Sequence, residues 1–97
     1  MNPEIKQKWI EALKSGEYKQ TDGKLRQDNR FCCLGVLCDI IDPSKWDGEG
    51  YDGFLGVPPY KLLDSINLSE DKCLVLARMN DEGAKFTRIA NYIEENI

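Results

Sequence analysis

Eleven consecutive residues, Phe31-Cys32-Cys33-Leu34-Gly35-Val36-Leu37-Cys38-Asp39-Ile40-Ile41, contain one polar side chain, Asp39, in a chain of which 31% is charged. A segment apolar on every side has to be buried on every side, so the remainder of the chain must wrap it. The run falls well short of the about 20 apolar residues that a membrane-spanning helix needs. Asp28 or Asn29 as an N-cap and Pro43 as a stop favour a helix through it. Its Cys, Val and Ile content also suits a buried strand.

Ninety-seven residues make one domain, residues 1–97. A chain of this size buries roughly 60–65% of its unfolded surface, which leaves little area for a deep private pocket. A hydrophobic fraction of 41% with 9% aromatics points to a folded globule. Met1–Leu13 alternates charged and apolar residues and lacks the continuous hydrophobic core of a signal peptide. The chain therefore reads as cytoplasmic, where four cysteines act as small buried hydrophobes and not as a disulfide framework. The net charge of −4 is uneven: Met1–Arg30 carries seven basic against five acidic residues, and the remainder six against twelve. An acidic protein is a poor general nucleic-acid binder, although its basic N-terminal part could hold a small anion.

Asn2-Pro3-Glu4 is a helix start, with Asn as N-cap and Pro at the first helical position. Ile5, Trp9, Ala12 and Leu13 form its apolar stripe, and Ser15-Gly16 ends it. Tyr18-Lys19-Gln20 and Lys24-Leu25-Arg26-Gln27 read as hairpin arms around Thr21-Asp22-Gly23, because Asp-Gly tolerates positive φ. Trp46, Tyr51, Phe54 and Leu55 suggest that the irregular stretch from Asp42 to Pro59 packs back on the core. Pro58-Pro59 starts a short helix through Leu62, Leu63 and Ile66. Ser69 caps another, with Cys73, Leu74, Leu76, Ala77 and Met79 apolar and Gly83 as terminator. Phe86, Ile89, Ala90, Ile93 and Ile97 mark a last amphipathic helix. The fold class is α+β: a compact, mostly helical single domain with a short N-terminal β-hairpin around a buried central helix.

No catalytic or metal constellation is legible, so the chain reads as a non-enzyme without cofactor. A Cys–His pair is excluded because histidine is absent. Cys32 and Cys33 could lie near a helix N-terminus, which lowers a thiol pKa, but no partner base is evident. Adjacent cysteines do not match the C-x2-C spacing of zinc sites. The acidic Asp47–Gly53 loop lacks the alternating ligands and distal Glu of a calcium loop. No P-loop or G-x-G-x-x-G is present. A polar-aromatic cluster remains, Tyr18, Lys19, Gln20, Lys24, Arg26 and Arg30, whose chemistry suits phosphate and a stacked base. The plainer reading is an exposed hairpin with scattered solvated charge. Asn80 and Asp81 end a helix against its macrodipole, and could read a base edge or ribose hydroxyls. An Asx turn explains them equally well.

The segments Trp9–Gln20, Gly23–Arg26, Phe31-Cys-Cys-Leu-Gly-Val-Leu-Cys-Asp39, Met79-Asn-Asp-Glu-Gly83 and Phe86–Glu94 resemble a family of small tailed-phage and prophage proteins. The stretch from Ile40 to Ser69 matches poorly. The resemblance implies a phage protein acting in the cytoplasm of an infected bacterial host. Small phage proteins of this size often antagonise host defence, and one class acts as molecular sponges. Such homo-oligomers sequester cyclic-nucleotide or cyclic ADP-ribose-type immune signals without cleaving them. A nucleotide pocket of about 300–1,000 Å³ is easier to assemble between small protomers than to hollow from one core. The expected ligand-binding residues are Tyr18, Gln20, Arg26 and Arg30, with Asn80 and Asp81. The expected partners are the nucleotide-derived small molecule and further copies of the chain, with no nucleic acid and no membrane. The alternative is a protein–protein inhibitor of a host enzyme, acting through the acidic C-terminal part.

Overall fold

A computed structural model describes all 97 residues. The apolar run is helical and central. In chain order the elements are α1 (Pro3–Lys14), β1 (Lys19–Gln20), β2 (Arg26–Gln27), β3 (Arg30–Phe31), α2 (Cys33–Ile41), β4 (Trp46–Asp47), β5 (Gly50–Tyr51), α3 (Tyr60–Ser65), α4 (Glu70–Asp81) and α5 (Phe86–Asn96). The architecture is α+β and mostly helical, as the pattern predicts. Cys32 to Cys38 are all buried. Helices α1 and α4 pack on α2, and α5 packs against both α1 and α4. No helix is long and apolar enough to cross a membrane.

Burial of the apolar run sets two close contacts. A Cβ on Gly35 would lie 2.8 Å from the Leu25 carbonyl carbon and closer still to its oxygen, so only glycine lets α2 approach that backbone. On the α1 side, Trp9 is fully buried and its indole N–H donates to the Cys33 carbonyl at 2.8 Å. That bond satisfies the one polar atom of a large core side chain. The α1 stripe also includes Ile10, which is 5% exposed, whereas Ile5 and Ala12 are only partly covered.

The expected hairpin arms β1 and β2 do not pair with each other, and the hairpin forms one strand later than the Asp22-Gly23 pair predicts. Strand β2 pairs antiparallel with β3, and β1 pairs parallel with β3, giving the order β1-β3-β2. The turn is Asp28-Asn29, with φ of 50° and 63°. Two positive φ values match the twist of the strands that they join, the type I′ pattern. Asp28 and Asn29 therefore do not cap α2. Cys32 does, its Sγ accepting the Gly35 N–H at 3.4 Å.

Strands of two residues carry few ladder bonds, each worth a net of about 1 kcal/mol, while a buried Leu or Ile contributes about 1.5–3 kcal/mol. Side chains therefore hold the sheets. The rings of Tyr18, Phe31, Trp46 and Tyr51 meet edge to face in sequence, with centroids 5.0–5.8 Å apart. Tyr51 is buried and Trp46 half-buried, as expected for a segment folded back on the core. Phe54 and Leu55 are not: they are 46% and 57% exposed, since the turn after Tyr51 aims them outward. Leu74, at 52%, also faces outward on α4.

Candidate functional site

Asn80 is 2% exposed, the only buried polar or charged side chain in the protein. Its Oδ1 accepts the Cys33 N–H and a Gln20 side-chain N–H, both at 3.0 Å, and its Nδ2 donates to the Thr21 carbonyl at 2.7 Å. Gln20 Nε2 also donates to the Ala84 carbonyl at 2.8 Å. Next in the chain, Asp81 Oδ1 accepts the Gly23 N–H at 2.9 Å. The N-terminal strand region and Asn80-Asp81 thus converge, and the contact is built from their own side chains. Asp81 is placed for this by the end of α4. There Gly83, at φ +98°, closes a Schellman motif through its own N–H to Asn80 O and the Ala84 N–H to Met79 O. The bond to Gly23 accounts for an acid at an unfavourable helix end.

Tyr18 and Arg26 are engaged by other partners, Asp39 for the first and Trp46 with Gly48 for the second. The Tyr18 hydroxyl donates to Asp39 Oδ2 at 2.6 Å, and the Trp46 indole N–H donates to Asp39 Oδ1 at 3.0 Å. Asp39 interrupts the apolar run because two aromatic donors need an acceptor there. Burial and the Asp39 bond together raise the Tyr18 pKa, which keeps its hydroxyl a donor. Arg26 lies over the Trp46 ring at 4.5 Å, and its Nε and Nη2 donate to the Gly48 carbonyl at 3.1 and 2.6 Å.

Among the six expected ligand-binding residues, Arg30 is the one whose side chain makes no protein hydrogen bond or ion pair. It lines an open hollow of about 310 Å³ together with Gln20, Thr21, Asp22, Asn80, Gly83 and Lys85, none of them hydrophobic. Lys85, likewise exposed and unpaired, precedes α5, whose first turn has no side-chain cap and no acid. The bonded pair Gly23 and Asp81 lines a second hollow of about 300 Å³, together with Lys24, Phe54, Val57, Ala77 and Cys32. Lys24 is held by Glu49 at 2.8 Å. Sequence reasoning missed Lys85, Phe54 and Val57. The lysine looked like one solvated charge among many, and nothing in the irregular segment signals which apolar residues face outward.

The four thiols are free and buried. Burial pushes Cys32 up to about 11 and Cys73 up to about 12, and it raises Cys33 and Cys38 as well. Such thiols stay protonated at neutral pH and are poor nucleophiles. No three His, Cys, Asp or Glu side chains converge in a group that could hold a metal ion.

The model of a family described as a domain of unknown function (DUF8296) matches residues 1–53, from α1 through the β4–β5 hairpin. The chain belongs to this family. No curated protein and no solved structure matches it. The matched region contains Trp9, Leu25, Arg30, Gly35 and Asp39, while Asn80, Asp81 and Lys85 lie outside it.

Proposed function

We propose that this DUF8296 protein is a phage anti-defence protein that captures a nucleotide-derived immune signal, of the cyclic-nucleotide or cyclic ADP-ribose type, without cleaving it. One observation carries the reading: two unpaired cations, Arg30 and Lys85, border one wholly polar hollow. A guanidinium fork and an ammonium suit a phosphate or pyrophosphate, and each charge-assisted bond is roughly twice as strong as a neutral one. In this reading Gln20 and Asn80 shape the hollow, and the bound anion sits toward Arg30 and Lys85, away from the Asp22 carboxylate that also lines it. At about 310 Å³ and open to solvent, the hollow is near the lower limit for a nucleotide site. A further protomer would cover the exposed side of the ligand, so the capturing form is a homo-oligomer.

The test is native mass spectrometry of the protein with cyclic dinucleotides and cyclic ADP-ribose isomers. The expected result is one retained ligand, released intact on denaturation, and its loss in the Arg30→Ala/Lys85→Ala variant. Absence of any adduct, retention by the double variant or recovery of a cleaved ligand would each refute the reading.

A further inference from the structure

Two hollows run into one another along α4. One is the hollow beside Lys24 and Asp81. The other, of about 200 Å³, is lined mainly by apolar residues, and both share Phe54 and Val57. From α4 they take Glu70, Cys73, Leu74, Ala77 and Asp81, successive positions along one flank of the helix. The resulting groove follows the helix for about 16 Å, the length of three helical turns or five extended residues.

Its walls are unusual for a protein surface. Tyr60 is 70% exposed and Leu74 52%, and Phe54 and Val57 are also exposed beside them. Single exposed hydrophobics are ordinary, but a cluster that lines one groove marks an interaction surface. Apart from Lys24, the ionic residues of the groove are acidic. Glu70 lines the apolar end, Asp81 the other, and Asp64 lines an adjoining hollow that also contains Tyr60 and Glu70. Lys24 is the only base in these linings, and Glu49 already neutralises it.

We propose that the groove along α4 docks a segment of a partner protein that carries bulky apolar side chains flanked by Lys or Arg. The apolar anchors fill the space between Phe54, Val57, Tyr60 and Leu74, and the basic flanks meet Glu70, Asp64 and Asp81. Charge complementarity argues against a second copy seated by this face, since that would bring Glu70 and Asp64 against acids of the same kind. The inference uses none of the atoms assigned to anion capture at Arg30 and Lys85, so either can fail alone.

The test is selection of a displayed random twelve-residue peptide library on the protein, followed by fluorescence anisotropy with the enriched peptides. Enriched sequences should combine Leu, Phe or Trp with Lys or Arg. Leu74→Ser and Tyr60→Ser, which alter exposed side chains and leave the core intact, should each weaken binding at least tenfold. Glu70→Lys should weaken it too and flatten its salt dependence. The proposal is overturned if no peptide is enriched, if the enriched peptides are acidic, or if the serine variants bind as well as the wild type. A concentration-dependent dimer in sedimentation that Leu74→Ser dissolves would also overturn it, by assigning the groove to a second copy.

Discussion

Asn80 stands 47 residues from Cys33, yet its side-chain oxygen accepts the Cys33 N–H at 3.0 Å, tying the last turn of α4 to the first turn of α2. The same amide reaches Gln20 and the Thr21 carbonyl. One buried side chain therefore shapes the polar hollow and satisfies an N–H that a helix start leaves open.

Asn80→Ala should cost about 2–4 kcal/mol, because it strands a buried N–H and a carbonyl as well as removing its own bonds. The exposed Asn91→Ala should stay within about 0.5 kcal/mol. Urea denaturation of both variants decides, and equal stabilities would mean that the Asn80 network contributes nothing to the fold.

Gly35→Ala should destabilise by steric overlap, not by the loss of a hydrogen bond. The added Cβ collides with backbone at Leu25, which cannot move without pulling β2 away from α2. A cost of about 3 kcal/mol or a failure to fold is expected, against about 1 kcal/mol for Gly16→Ala, where φ is +79° but the space is empty. Thermal unfolding of the pair separates steric overlap from backbone strain.

Asp39→Ala removes the shared acceptor of Tyr18 and Trp46 and should cost about 2–4 kcal/mol. A shift in tryptophan fluorescence should accompany it, since Trp46 loses its partner. An unchanged unfolding midpoint would show that water replaces the carboxylate freely.

Alkali should destabilise the protein from about pH 9 upward. The buried acids have raised pKa values, so folding favours their neutral forms. Their contribution is complete below the ordinary thiol value of 9.0 and declines as pH rises toward about 11 for Cys32 and about 12 for Cys73. Tyr51, pushed up to about 12 by burial and then by neighbouring negative charge, adds to the decline from its ordinary 10.0. Denaturant midpoints measured between pH 7 and 11 should fall across that window. At pH 8 a thiol reagent should label none of the four cysteines in the folded protein and all of them in guanidinium.

Arg26→Ala and Arg30→Ala should part company. Arg26 stacks on Trp46 and bonds Gly48, so its loss should cost about 1 kcal/mol of stability and leave anion capture unchanged. Arg30 has no such contacts, so its loss should spare stability and abolish capture. Parallel denaturation and native mass spectrometry give both readouts, and a loss of capture in Arg26→Ala would return that residue to the site.

Much of this could be read from residue order alone. The cap at Asn2, Pro3 at the first turn, Ser69 and Gly83 bounded helices where the structure has them, because capping is settled within a few residues of chain. The run from Cys32 to Cys38 dictated a buried central segment, because no other placement removes that much apolar surface from water, and Pro43 as a stop favoured helix over strand. Which turn closes the hairpin was not a local matter. Asp22-Gly23 has the better turn chemistry, but Asp81 holds Gly23 from across the fold, and Asp28-Asn29 makes the turn instead. Site chemistry divided in the same way. Residue types marked Tyr18, Gln20, Arg26, Arg30, Asn80 and Asp81 as capable of binding. Only tertiary packing decided that Asn80, Asp81, Gln20, Tyr18 and Arg26 bond to groups of the protein itself, while Arg30 and the unflagged Lys85 stay unpaired beside an open hollow. A side chain's availability depends on what the fold brings within hydrogen-bond distance of it, and for Asn80 those partners lie 47 to 60 residues away.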